Sequence, residues 1–160
     1  MRHILSVLVD NKPGVLTRVA GMFSRRGYNI DSIAVGTERD PAMSRMTIVV
    51  HGDDEILEQI NKQLNKLIDV IKVTDLTQTS HVEREMLMVR IKATTTTRSE
   101  IMQICDIFRG RIVDVAPDSM VIEITGAEGK LQAILDLLAK FGIHEIARTG
   151  KIGLSRGSGK

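Results

Sequence analysis

From His3 to Val9 the chain is a dense apolar run suited to a strand, and after Pro13 the spacing changes. Val15, Leu16, Val19, Met22 and Phe23 recur at helical intervals and predict a helix from Pro13 with one buried stripe. Its end is well marked: Arg25 and Arg26 suit the negative end of the helix dipole, and Gly27 can adopt a left-handed cap. Strands follow at Asn29 to Thr37 and Arg45 to Val50, separated by the turn-prone stretch Glu38 to Ala42 with Asp40-Pro41. Asp53 and Asp54 open a second helix carrying Ile56, Leu57, Ile60, Leu64 and Leu67, and Val70 to Leu76 returns as a strand. The order is βαββαβ.

After the polar stretch Thr77 to Arg84 the series repeats. Leu87, Val89, Ile91 and Ala93 alternate as a strand, and Thr97-Arg98-Ser99-Glu100 has the spacing of a capping box for a helix through Ile101, Ile104, Cys105 and Phe108. Gly110 ends that helix. Arg111 to Val115 and Met120 to Thr125 form a hairpin around Pro117-Asp118, then come a helix with Leu131, Ile134, Leu135 and Leu138 and a last strand from Ile143 to Ile152. The fold expected is α+β, two consecutive ferredoxin-like βαββαβ domains. Residues 1–78 form the first, 79–84 a linker, 85–154 the second and 155–160 a mobile tail. A unit of this size buries only about 60–65% of its unfolded surface, so each is expected to lean on another unit.

Composition narrows the function. Of 160 residues none is Trp, one is Tyr and three are Phe, against eight Met, so the core is aliphatic and a sheet of stacking rings for RNA has almost no material. Lys plus Arg number 22 and Asp plus Glu 20, and a net charge of +2 points to neither nucleic acid nor a membrane. The single cysteine, Cys105, excludes an internal disulfide and fits a reducing compartment; its apolar neighbours predict a buried thiol. With no bilayer-length apolar run and no signal-peptide core at the start, a cytoplasmic location is expected.

Catalytic chemistry finds no support in the residues. His3, His51, His81 and His144 are scattered over strand ends and the linker without metal-ligand spacing, and no nucleophile elbow or GxGxxG after a strand is present. Gly157-Ser158-Gly159-Lys160 resembles the end of a phosphate-binding loop but has no strand and helix in register. The informative segment is Asp10-Asn11-Lys12-Pro13-Gly14-Val15-Leu16, a strand end followed by a helix start. The free amides of a first turn attract a carboxylate, and the Asn11 side chain offers a donor and an acceptor to a neighbouring group. A free amino acid carries that combination. From spacing alone the same residues are read at least as readily as Asp10 or Asn11 capping the helix, with Gly14 tolerated in its first turn.

Several strings in order resemble one family, the small regulatory subunits of acetolactate synthase (acetohydroxyacid synthase), whose first half is an ACT domain and whose second half is ACT-like. They are Asn11 to Gly14, Phe23-Ser24-Arg25-Arg26-Gly27-Tyr28-Asn29-Ile30, Ser44-Arg45-Met46-Thr47, His81-Val82-Glu83-Arg84-Glu85, Phe108-Arg109-Gly110, Ala147-Arg148-Thr149-Gly150 and Gly153-Leu154-Ser155-Arg156-Gly157. The resemblance implies a non-catalytic chain that binds and activates a catalytic subunit using thiamine diphosphate, Mg and FAD, and that confers feedback inhibition by a branched-chain amino acid, most often valine. It implies a homodimer through the ACT domain, with effector sites composed of Asn11, Gly14, Val15 and Leu16 from one chain and Asn29 and Ile30 from its partner. No cofactor is expected in this chain; Gly52-Asp53-Asp54 is its nearest approach to a thiamine-binding signature. The alternative is a free-standing amino-acid-sensing ACT protein acting on another partner. Copper chaperones and acylphosphatases share the element order but need a CxxC pair or a phosphate-cradling loop that this chain lacks.

Overall fold

The computed structural model describes residues 1–157. The chain forms two compact units, Met1–Val82 joined by the segment from Lys151 onward, and Glu83–Gly150.

In the first unit the elements are β1 (Arg2–Asp10), α1 (Val15–Arg25), β2 (Ser32–Thr37), β3 (Met43–His51), α2 (Asp54–Asn65) and β4 (Val70–Asp75), and a short 3-10 turn at Leu76–Gln78 follows. The sheet is antiparallel with strand order β2-β3-β1-β4. Alternation assigns its faces. Leu5, Val7 and Val9 of β1 and Met46, Ile48 and Val50 of β3 meet Val19, Met22 and Phe23 of α1 and Leu57, Ile60 and Leu64 of α2 in one buried cluster. On the opposite face Ile4, Val49 and Leu76 make a small cluster of their own.

Two helix boundaries follow from side-chain chemistry. Asp53 caps α2 by accepting a hydrogen bond from the Ile56 amide at 2.9 Å, so Gly52-Asp53-Asp54 is a helix start here. At the end of α1, Gly27 has φ +69°, its amide donates to Ser24 O, and the Tyr28 amide reaches Phe23 O, the paired bonds of a Schellman cap.

In the second unit β5 (His81–Lys92), α3 (Arg98–Ile107), β6 (Arg111–Val115), β7 (Ser119–Gly126), α4 (Glu128–Leu138) and β8 (Ile143–Arg148) repeat the order, with β5 beginning in the first unit. The strand order is β6-β7-β5-β8, and α3 and α4 bury Ile101, Ile104, Cys105, Leu131, Ile134, Leu135 and Leu138 against Leu87, Val89, Ile91 and Ile122. Both sheets thus carry the α+β ferredoxin-like topology.

The structure departs from the sequence reading in identifiable places. α1 starts at Val15 rather than Pro13, because Gly14 is left-handed (φ +86°) and cannot be its first helical residue. Backbone regularity begins at Ser32 rather than Asn29. No capping box forms at α3: Thr97 Oγ1 accepts from the Thr94 amide at 2.8 Å, and Glu100 pairs with Lys140. The α3 terminus uses Arg109, not Gly110, in the left-handed position (φ 56°). Gly110 is there for space, since a Cβ would lie 3.0 Å from Cys105 Sγ and 3.2 Å from Glu123 O. The expected last strand is two, β8 and β9 (Ile152–Ser155), divided by Gly150 at φ +83°. β9 belongs to the first unit and pairs with β5, its Gly153 lying against Val82 O. The chain therefore divides after Val82 and again after Gly150, where the sequence reading set a linker at 79–84 and a domain end at 154. Ser155 is the last residue of β9 rather than the start of a tail. Ser158 to Lys160, which hold most of the remaining tail and of the discarded phosphate-loop string, lie outside the described residues.

Candidate functional site

The loop between β1 and α1 is fastened from both sides. The Asn11 amide donates to Ala42 O at 2.8 Å and its Nδ2 to Pro41 O at 2.9 Å, which ties the loop to the turn before β3. Asn11 therefore does not cap the helix, and neither does Asp10; the N-cap residue is Gly14, and no side chain accepts from the first turn. That turn also contains no acidic residue, whereas α2 has Asp54 and Glu55 in its own. The Val15 amide donates to Lys12 O at 3.4 Å, and the amides that follow it, with the positive end of the helix dipole, are left for an external anion.

A cation stands beside them. Arg18, one turn into α1, places Nη1 2.8 Å from the point a Gly14 Cβ would occupy, and its Nε donates to the buried carboxylate of Asp69 at 2.6 Å. The guanidinium is thus held next to the helix start with donors to spare. The sequence reading missed Arg18; its spacing of four from Gly14 was the available signal.

The remaining expected residues are placed unequally. Val15 is buried in the core, so only its backbone can meet a ligand, while Leu16 is 48% exposed and offers an apolar surface. Ile30 is half-buried against the core cluster. Asn29 donates through Nδ2 to Asp31 Oδ1 at 2.9 Å, and Asp31 Oδ2 in turn meets His51 Nδ1. His51 pairs with Arg2 at the start of β1, whereas Asn11 follows Asp10 at its end, opposite Met43. Eight residue steps of strand separate those ends, roughly 26 Å at the rise of an extended chain. Asn11, Gly14, Val15 and Leu16 are together; Asn29 and Ile30 of the same chain are at the far end of the sheet.

The other polar candidates are structural. His3, read from sequence as a surface or strand-end residue, is completely buried in β1 with Nδ1 3.5 Å from Asp75 Oδ2. Burial, and secondarily the neighbouring Asp106, pushes the Cys105 thiol above its ordinary pKa, the reverse of an activated nucleophile. Among the described residues no group of three or more His, Cys, Asp or Glu side chains is placed to hold a metal ion. No helix among them is long and apolar enough to cross a membrane.

With this geometry, comparison with known proteins is decisive about kinship. Residues 5–72 match the ACT domain of the acetohydroxyacid synthase small subunit-like group, and residues 84–157 match the small subunit of acetolactate synthase. A probable acetolactate synthase small subunit from Methanothermobacter thermautotrophicus is 58% identical over 157 residues, covering 98% of this chain and 94% of its own. The acetolactate synthase small subunit of Mycobacterium bovis is 51% identical over 155 residues, covering 97% and 92%. The crystal structure of the acetolactate synthase small subunit from Thermotoga maritima superposes with a TM-score of 0.88 at 45% identity, covering 99% of both chains. Two family matches in chain order, full-length relatives and a full-length structural match agree, and the chain belongs to the family of acetolactate synthase small subunits, the non-catalytic regulatory component of that enzyme.

Proposed function

We propose that this chain activates the catalytic subunit of acetolactate synthase in the cytoplasm and makes it sensitive to feedback by a branched-chain amino acid, valine first among them. The catalytic subunit carries thiamine diphosphate, Mg and FAD and joins two pyruvates, or pyruvate and 2-oxobutyrate. The observation that supports an amino-acid effector is the start of α1: an uncapped first turn without acidic residues, beside a left-handed glycine and a tethered Arg18. The first-turn amides that follow Val15, beginning with Leu16, and the Arg18 guanidinium suit a carboxylate, with Gly14 and Val15 shaping the backbone beside it. Asn11 and Asn29 suit the ammonium group, and Leu16 and Ile30 the branched end.

The site is composite and the protein a homodimer through the ACT unit. The support is geometric: the two halves of the residue set sit at opposite ends of one sheet, and a two-fold arrangement sets the end of one sheet beside the start of its partner's. An effector of about eight heavy atoms gains at most roughly 12 kcal/mol at about 1.5 kcal/mol per atom, and feedback ligands fall well short of that ceiling, so micromolar to millimolar affinity is expected. Inhibition needs a coupling of about 1–3 kcal/mol between effector binding and the less active holoenzyme.

The test is reconstitution with a catalytic subunit and titration of valine, leucine and isoleucine, together with mixed dimers of Asn11→Ala and Asn29→Ala chains. Each mixed dimer retains one fully native site and one doubly damaged site, so calorimetry should read one effector equivalent per dimer. Two undamaged equivalents would refute an intersubunit site, and no change in activity on mixing the subunits would refute the regulatory reading and favour a sensor acting on another partner.

A further inference from the structure

The face of the first sheet turned away from α1 and α2 has an order that the register makes explicit. Arg45, Leu8 and Lys72 lie side by side across β3, β1 and β4, and Thr47, Ser6 and Thr74 form the next row. Beyond them lies the small apolar cluster of Ile4, Val49 and Leu76, with Gly153 of β9 close to Leu76. A basic row, a hydroxyl row and an apolar row thus follow one another along the strands. Where they meet β9 there is a cavity of about 300 Å³ lined by Ser6, Leu8, Arg45, Lys72, Thr74, Leu76, Leu154 and Ser155.

Among the described residues its charged lining is Arg45 and Lys72, both cations. Arg45 is fixed in place: Nε and Nη2 donate to Glu38 Oε2 at 3.1 and 2.9 Å, and Nη1 donates to the buried Ser6 hydroxyl at 2.9 Å. Three of its five N–H groups are used, leaving two. Lys72 is exposed and makes no ion pair among the described residues. Hydroxyls from Ser6, Thr74 and Ser155 complete a set of donors that exceeds what the two oxygens of a carboxylate accept. The three oxygens of a phosphoryl group match two cations and several hydroxyls at once, and Leu8, Leu76 and Leu154 give an attached organic body an apolar wall.

We propose that this pocket binds the phosphoryl group of a small organic phosphate, at a site separate from the start of α1. It lies on the opposite side of the sheet from the helices and shares no residue with the amino-acid site. β9 supplies Leu154 and Ser155, so occupancy fastens β9 to the sheet.

The experiment uses the full chain with pyrophosphate and glucose 6-phosphate as probes, inorganic phosphate to separate the free anion from an organic phosphate, and acetate and sulfate as controls. Binding is read by calorimetry and by amide NMR shifts. The expected result is saturable binding of glucose 6-phosphate, tighter than inorganic phosphate or sulfate, with shifts at Ser6, Thr74 and Ser155. Lys72→Met should weaken it by roughly tenfold, the scale of one charge-assisted hydrogen bond, without lowering the melting temperature of the free protein. Ser155→Ala should weaken it as well and leave valine binding unchanged. Absence of saturable binding, equal affinity for sulfate, or an unaltered affinity in Lys72→Met would overturn the proposal.

Discussion

Arg18 Nε donates to Asp69 Oδ2 at 2.6 Å, joining the first turns of α1 to the segment entering β4. Asp69 is 7% exposed, and its backbone carbonyl also accepts from the Asp10 amide, so this residue braces the loop on which the proposed effector site is built. Arg18→Ala leaves a buried carboxylate without its partner, at a cost of about 1–3 kcal/mol. At about 2–4 °C per kcal/mol for a chain of this size, calorimetry should record a fall of several degrees. The same variant should raise the half-inhibitory valine concentration of the holoenzyme well above that of the parent. Unchanged sensitivity would remove Arg18 from the carboxylate site.

Gly14→Asp tests the site with charge. At φ +86° any side chain is strained by about 1–2 kcal/mol, and Asp tolerates the left-handed region better than most. The three nearest atoms all belong to the flexible end of Arg18, so the fold should survive with a modest drop in melting temperature. The new carboxylate would occupy the position proposed for the effector's carboxylate and should abolish valine inhibition while leaving activation of the catalytic subunit intact. Gly14→Asn carries the same strain without the charge, and equal desensitisation by both would show strain rather than charge to be responsible.

At the end of α3 two neighbouring residues should respond in opposite directions. Arg109→Gly relieves a left-handed arginine and should raise stability by up to about 1 kcal/mol after the entropy of the added glycine is subtracted. Gly110→Ala drives a methyl group against Cys105 Sγ and the Glu123 carbonyl and should lower it by about 1–3 kcal/mol. Urea unfolding of both variants measures the pair, and a destabilised Arg109→Gly would contradict the strain assigned to that position.

Cys105 gives stability a pH dependence. Desolvation, then the charge of Asp106, holds the folded thiol above its ordinary pKa of 9.0, so the unfolded thiol ionises first. Above pH about 9 the unfolded chain therefore binds fewer protons, and stability falls as pH rises. Urea midpoints measured from neutral to strongly alkaline pH should decline more steeply in the parent than in Cys105→Ala. Parallel slopes would mean that the folded thiol is not protected.

Much of this was legible in the chain. The alternation in β1 and β3, the helical stripe Val15, Val19, Met22 and Phe23, the Asp53 cap and the Gly27 cap are local signals, and each acts locally in the structure. Local signals misled where another group, near in sequence or far, competed for the same residue or the same space. Thr97 turned to the Thr94 amide and Glu100 to Lys140 instead of closing a capping box, and Arg109 took the left-handed position because only Gly110 leaves room for Cys105 and Glu123.

Periodicity by itself determined the two βαββαβ units and the loop from Asn11 to Leu16, because spacing along one chain decides which face each side chain presents. Tertiary structure alone decided that Asp69, 51 positions away, holds Arg18 beside Gly14, and that Asn11 and Asn29 of one chain stand at opposite ends of a sheet. It also returned Ile152–Ser155 to the first unit, where its last two residues help line a cationic pocket. Those relationships join residues far apart in sequence, and only strand register and packing bring such residues together or keep them apart.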